Sequence, residues 1–222
     1  MMRRALRWSF TGLVVLGVAL VAARVVLRPF TAPSRSMMPA ITPGEMFAAS
    51  QLVYGLPFDT EPERGDIVVF DVRGQHYVKR VIGLPGETVR LIGGRVHIDG
   101  EPLGYERLDP FVEPVTREGG QKCLRQREAG DGSDCIKDAY RETLPNGRSY
   151  AVLDADGPGG TFDDTRVFEL PEGHYFMLGD NRDNSGDSRT YTVGLVRRES
   201  IFGRVEAIIQ SPVPGRSLTR AR

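Results

Sequence analysis

The chain has 222 residues with 40% hydrophobic content, enough for one well-cored domain or for a core domain carrying an insertion. Its 29 basic and 29 acidic residues cancel, so no overall charge draws it to a polyanion and a nucleic-acid partner is disfavoured.

The N-terminus carries Arg3, Arg4 and Arg7, followed by sixteen uncharged residues from Trp8 to Ala23. Arg24 interrupts, and Val25-Val26-Leu27 continue before Arg28-Pro29. The apolar run is slightly shorter than the roughly 20 residues that span a bilayer core, but a snorkelling Arg24 extends it to Leu27. Composition alone fits a transmembrane anchor over residues 8–27 and, equally, a cleaved signal peptide ending at Val21-Ala22-Ala23. Either reading exports the rest of the chain if the basic end stays in the cytoplasm, although the arginines outside match those inside.

Beyond this segment the pattern is β-rich, and no stretch sustains a helical period. Asp66-Ile67-Val68-Val69-Phe70 is a β-branched run entered through Arg64-Gly65, and Gln75 to Ile82 predicts the next strand. Within it, alternation puts Tyr77, Lys79 and Val81 on one face and Val78, Arg80 and Ile82 on the other. Taken alone, the run fits an edge strand with both cations snorkelling. Lys79 is nevertheless notable, because only three of the 29 basic residues are lysines, the others being Lys122 and Lys137. A desolvated lysine amine can lose its proton and act as a base, whereas guanidinium stays charged.

After the turn at Leu84-Pro85-Gly86-Glu87, Thr88–Ile92 and Arg95–Ile98 flank Gly93-Gly94 and predict a hairpin. From about 100 to 170, charges, Gly and Pro are dense, which predicts a less regular β insertion. It holds Cys123 and Cys135, an even pair whose closeness suggests a disulfide in an exported domain. His174–Leu178 and Val205–Ile209 predict further strands, and the tail from 212 to 222 is expected to fray.

The polar loop Gly179-Asp180-Asn181-Arg182-Asp183-Asn184-Ser185-Gly186-Asp187-Ser188-Arg189 suggests a calcium site. Placing Asn181 at position 1 of an EF-hand, however, puts Thr192 where Glu belongs, so no metal is expected. His76, His97 and His174 read as ordinary histidines, and no G-x-S-x-G surrounds Ser36.

Four segments, Pro33–Pro39, Arg64–Phe70, Tyr77–Glu87 and Gly179–Arg189, together resemble in wording and order the boxes of the type I signal peptidases, a membrane-anchored Ser-Lys protease family. The resemblance covers residues 30–212 and implies a mainly β fold. That fold is an antiparallel catalytic sheet core (30–99 and 171–211) with a β-rich insertion (100–170), a transmembrane helix (8–27) after a cytoplasmic end (1–7), and a tail (212–222). It implies Ser36 as nucleophile, Lys79 as general base, and Ser34 with the Ser36 amide as oxyanion donors. Ser185 would hold the lysine amine, with Asp187 and Arg189 bracing that loop and Asp180 and Arg182 supporting it. Phe30, Ala32, Met37, Ile41, Tyr77 and Val78 would form the substrate pockets.

Arg35 and Ala40 depart from the family's usual Gly and Thr, outside the reacting groups. The expected substrates are signal-peptide-bearing precursors cut after small residues. The expected setting is the bacterial inner membrane, with the catalytic domain on the outer face, as a monomer without cofactor or nucleic acid. A LexA-like autoprotease is disfavoured because the N-terminus is apolar where a DNA-binding helix-turn-helix would stand. A conjugation-specific maturation peptidase and an inactive membrane-tethered paralogue stay as alternatives.

Overall fold

In the computed structural model, residues 27–55, 58–115, 121–129 and 132–221 are described. The first strands are β1 (Leu27–Thr31), β2 (Met46–Ser50), β3 (Ile67–Val72) and β4 (Gln75–Gly83), followed by β5 (Thr88–Ile92), β6 (Arg95–Ile98) and β7 (Glu101–Pro102). Next come β8 (Gly104–Arg107), β9 (Phe111–Pro114), β10 (Arg125–Ala129), β11 (Gly132–Thr143) and β12 (Ser149–Asp154). The chain finishes with β13 (Phe168–Glu169), β14 (His174–Leu178), β15 (Val196–Arg197) and β16 (Ile201–Gln210). Among the described residues the only helical elements are two 3₁₀ turns, Arg182–Asn184 and Arg198–Ser200.

The expected anchor lies outside the described residues except at its last position. Leu27 is the first residue of β1, opposite Ser50 of β2, so the strand begins where the apolar segment was expected to end. No helix among the described residues is long and apolar enough to cross a membrane.

The strands make three antiparallel sheets. The largest runs β1-β2-β16-β3-β4-β14-β15, and the second runs β13-β5-β6-β7. In the third, β11 pairs with β10, β12, β8 and β9 along its twelve residues. The interior of β3 explains its place: Ile67, Val68, Val69 and Phe70 are all buried, as a strand covered on both faces requires. One face packs Val69 and Ile67 against Met37, Ile41 and Phe47, and the other packs Val68 and Phe70 against Val81, Tyr175 and Met177.

In the predicted hairpin, β5 and β6 alternate buried and solvent-facing side chains, and Gly93 and Gly94 have φ of +53° and +78°. That conformation suits the turn to glycine. Between the first two sheets and β12, a shared core of Ile82, Val89, Leu91, Val96, Val152, Phe176 and Leu178 ties the insertion to the rest.

Two expectations fail here for physical reasons. β4 is no edge strand, because β3 and β14 cover both of its sides, and Lys79 and Arg80 are each 4% exposed. The tail is docked and not frayed: Arg216 donates to the buried Glu45 carboxylate and to the Ala40 carbonyl, and Thr219 bridges to Ile208.

Candidate active site

The segment after β1 turns tightly, with the Met38 amide donating to the Arg35 carbonyl and the Ile41 amide to that of Met37. Met37, Met38 and Ile41 are buried, so the turn is fastened by its apolar side chains while Ser34 and Ser36 face a cleft. From β4, Lys79 reaches this turn. Its Nζ lies 2.8 Å from Ser36 Oγ and donates to the Val78 carbonyl at 2.9 Å. Ser34 Oγ lies 3.1 Å from Ser36 Oγ.

Burial pushes the Lys79 amine down from 10.5 to about 8. The Asp187 and Asp180 carboxylates pull it partly back, and the Arg189 guanidinium reinforces the drop. A serine hydroxyl against an amine poised near neutrality is an arrangement for moving a proton.

The loop after β14 supplies the wall. Asp180 pairs with Arg80 through two hydrogen bonds of 2.8 and 2.6 Å, and Asp187 pairs with Arg189 the same way. Burial alone would raise the Asp187 carboxyl, but the Arg189 guanidinium outweighs it and holds the pKa below the usual value. Arg182 reaches across to Glu142 of β11, whose carboxylate also accepts from Tyr150. Gly179 allows the loop to approach: a Cβ there would stand 2.6 Å from the Ser36 carbonyl.

The cleft is about 270 Å³ and is lined by Ala32, Met37, Ile41, Tyr77 and Val78, together with Phe47 and His76. The Ser36 turn and β4 supply most of its lining, and Asn184 and Gly186 of the loop after β14 also take part.

The profile of the family described as "Signal peptidase, peptidase S26" matches residues 5–210. The chain belongs to this signal peptidase family. A signal peptidase I of Rickettsia prowazekii is 32% identical, over 87% of this chain and 76% of its own length. One from Rickettsia typhi is 33% identical, over 90% of this chain and 77% of its own length. A solved signal peptidase I from Enterococcus faecalis is 27% identical and aligns with 65% of this chain and 97% of its own, at a TM-score of 0.34, too low to carry a fold assignment. With these relatives the chain is a serine peptidase of the signal peptidase I kind.

In this peptidase the residues expected at the site are brought together with two differences. Ser185 makes no hydrogen bond to the lysine: its Oγ is buried without a hydrogen-bond partner among the described residues, and the amine is held by the Val78 carbonyl of its own strand instead. Phe30 is not among the residues that line the cleft; it stacks on Phe47, which does, and also meets His76 and Phe202. Arg35, expected to lie outside the reacting groups, reaches the insertion, where its Nη1 binds Glu113 of β9 at 2.7 Å.

Sequence reasoning also missed Asn181. Its amide donates to the Ser36 carbonyl and its Nδ2 to the Arg35 carbonyl, both at 3.0 Å. The signal was its place inside the Gly179–Arg189 string, where the charged neighbours drew the attention. Asp183, read against a calcium loop, accepts the amides of Ala155 and Asp156.

Proposed function

We propose that the chain removes N-terminal signal peptides from exported precursors, with Ser36 as nucleophile and neutral Lys79 as general base. The observation that carries this reading is the 2.8 Å contact between a serine hydroxyl and a buried amine whose pKa is lowered to about 8. Lys79 takes the hydroxyl proton as Ser36 Oγ bonds to the scissile carbonyl carbon, and the carbonyl π pair moves onto its oxygen. The Ser36 amide and the Ser34 hydroxyl receive that oxyanion, where one such donor is typically worth roughly 3 kcal/mol. Collapse breaks the C–N bond, and the leaving amine takes the proton back from Lys79. Water then adds to the acyl-enzyme carbonyl while giving a proton to Lys79, and collapse breaks the C–Oγ bond, so that Ser36 Oγ takes that proton back and the carboxylate product leaves.

Specificity for small residues, as at an Ala-x-Ala end, fits a shallow cleft walled by Ala32, Met37, Ile41, Tyr77 and Val78. An extended substrate would lie along residues 30–34 and 71–78, where backbone pairing supplies affinity. The apolar segment that precedes β1, bounded at residue 26 because Leu27 belongs to the strand, would anchor the enzyme in the inner membrane with this cleft on the outer face. A Cys123–Cys135 disulfide with a Cα–Cα distance of 5.2 Å supports an oxidising compartment.

Purified enzyme should cleave a precursor with an Ala-x-Ala site, and Ser36→Ala and Lys79→Arg should each remove at least about a thousandfold of that activity. Lys122→Ala, on an exposed pair with Asp156, should leave it unchanged. Near wild-type activity in Lys79→Arg would exclude a neutral amine as the base.

A further inference from the structure

The insertion reaches the Ser36 turn through a line of charge, buried at Lys137 and Glu113 and half-buried at Arg35. Lys137 of β11 is fully buried and stands 2.8 Å from Glu113 Oε1. Glu113 Oε2 in turn accepts from Arg35 Nη1 at 2.7 Å, next to Ser36 in sequence. In the β9–β11 register Glu113 faces Cys135, two residues before Lys137. Alternation therefore sets Glu113, Cys135 and Lys137 on one face of the third sheet. Cys135 is itself buried and tied to Cys123, so the carboxylate is mounted on a braced part of the insertion.

What this line grips is the Arg35–Ser36 peptide. A trans peptide is planar with its C=O and N–H pointing in opposite directions. The Met38 amide (3.1 Å) and the Asn181 side chain (3.0 Å) fix the Arg35 carbonyl, and in doing so they aim the Ser36 N–H away from it. Arg35 is the residue whose rotation would turn that plane, and its far end is tied to Glu113. The carboxylate lies between two cations, so without it Arg35 and Lys137 would repel, and the side chain would leave.

We propose that Arg35 and Glu113 are positioning residues of this peptidase: through their ion pair the insertion sets the direction of the Ser36 amide. This rests on the reading of Ser36 as nucleophile and of its amide as an oxyanion donor. A donor aimed where charge develops in the transition state acts on kcat, whereas the substrate still finds the same cleft.

The test compares Glu113→Gln, Arg35→Gly and the double variant in the full-length enzyme. Each single change should lower kcat about tenfold, the order expected from a misplaced donor, and leave KM within about threefold. The double variant should be no slower than the worse single, because both cut one link. Arg35→Lys, which keeps the cation on a shorter reach, should recover part of the loss. Amide exchange measured in parallel should rise at least about fivefold over residues 34–41 and stay unchanged over 67–72.

Unchanged exchange in both single variants, unchanged kcat, or losses that are additive and track a fall in Tm would overturn the proposal. If the wild type cleaves no precursor, the reading of the function fails by itself, while the exchange measurement still decides whether the insertion holds the turn.

Discussion

Two buried lysines in this molecule have opposite surroundings. Lys79 on β4 touches a hydroxyl and a carbonyl, with Asp187 and Asp180 acting on it only through space. Lys137 on β11 is buried at least as deeply and has a carboxylate 2.8 Å away. Burial is common to both, so what separates them is the set of neighbours each one has. The difference lies in how the protein distributes its carboxylates near the sheet: Asp180 is taken up by Arg80, and Asp187 by Arg189. Lys79 is left with dipoles that stabilise a cation poorly, and its amine gives up the proton near neutrality.

The largest test of this contrast is the pH dependence of cleavage. If neutral Lys79 is the active form, kcat/KM should rise about tenfold per pH unit below 8 and level off above it. At pH 6 the rate should be about a hundredfold below the plateau. A profile flat from pH 6 to 9 would mean that the base is a different group. The drop from 10.5 to about 8 also has a stability consequence. Between those values the unfolded chain binds a proton at this lysine that the folded protein does not. The Lys79 contribution to stability therefore rises with pH through that window and is at its most unfavourable below it.

Replacing each lysine by methionine sharpens the contrast further, because the two changes should move stability in opposite directions at pH 7. Lys79→Met removes a cation that burial disfavours by roughly 3 kcal/mol and should raise Tm in the inactive protein. Lys137→Met leaves Glu113 with Arg35 alone and should cost roughly 3 kcal/mol while retaining part of the cleavage. Thermal unfolding of the two variants at one pH decides it. The same sign for both would mean that Lys79 is held by more than the partners described.

Much of this was legible in the sequence where a local pattern coincides with the global fold. The β3 run, the Gly93-Gly94 hairpin and the lysine within β4 were all readable. The burial of Lys79 and Arg80 was not, since a strand cannot report its neighbours, and β14 is brought beside β4 from almost a hundred residues away. Arg216 on Glu45 and Arg35 on Glu113 were invisible for the same reason: their partners are 171 and 78 residues distant, and nothing local marks them. Ser185 shows the reverse case. The resemblance assigned it a partner, but the Val78 carbonyl is already in place on the same strand as the lysine.

The smallest effect on cleavage should come from the disulfide, although it is mounted beside Lys137. Cys123 and Cys135 are separated by 12 residues, and closing a loop of that size stabilises by roughly 3 kcal/mol. The Cys123→Ser/Cys135→Ala enzyme should therefore unfold at lower temperature. Well below its Tm, it should cleave within about threefold of wild type, because β9 still pairs with β11 from Asp134 to Lys137 and carries Glu113 with it. Cleavage measured well below the transition, beside the melting curve, separates the two quantities. A large loss of kcat in folded enzyme would mean that the bridge, and not strand pairing, holds the carboxylate against Arg35. The insertion would then connect the redox state of its compartment to the Ser36 turn.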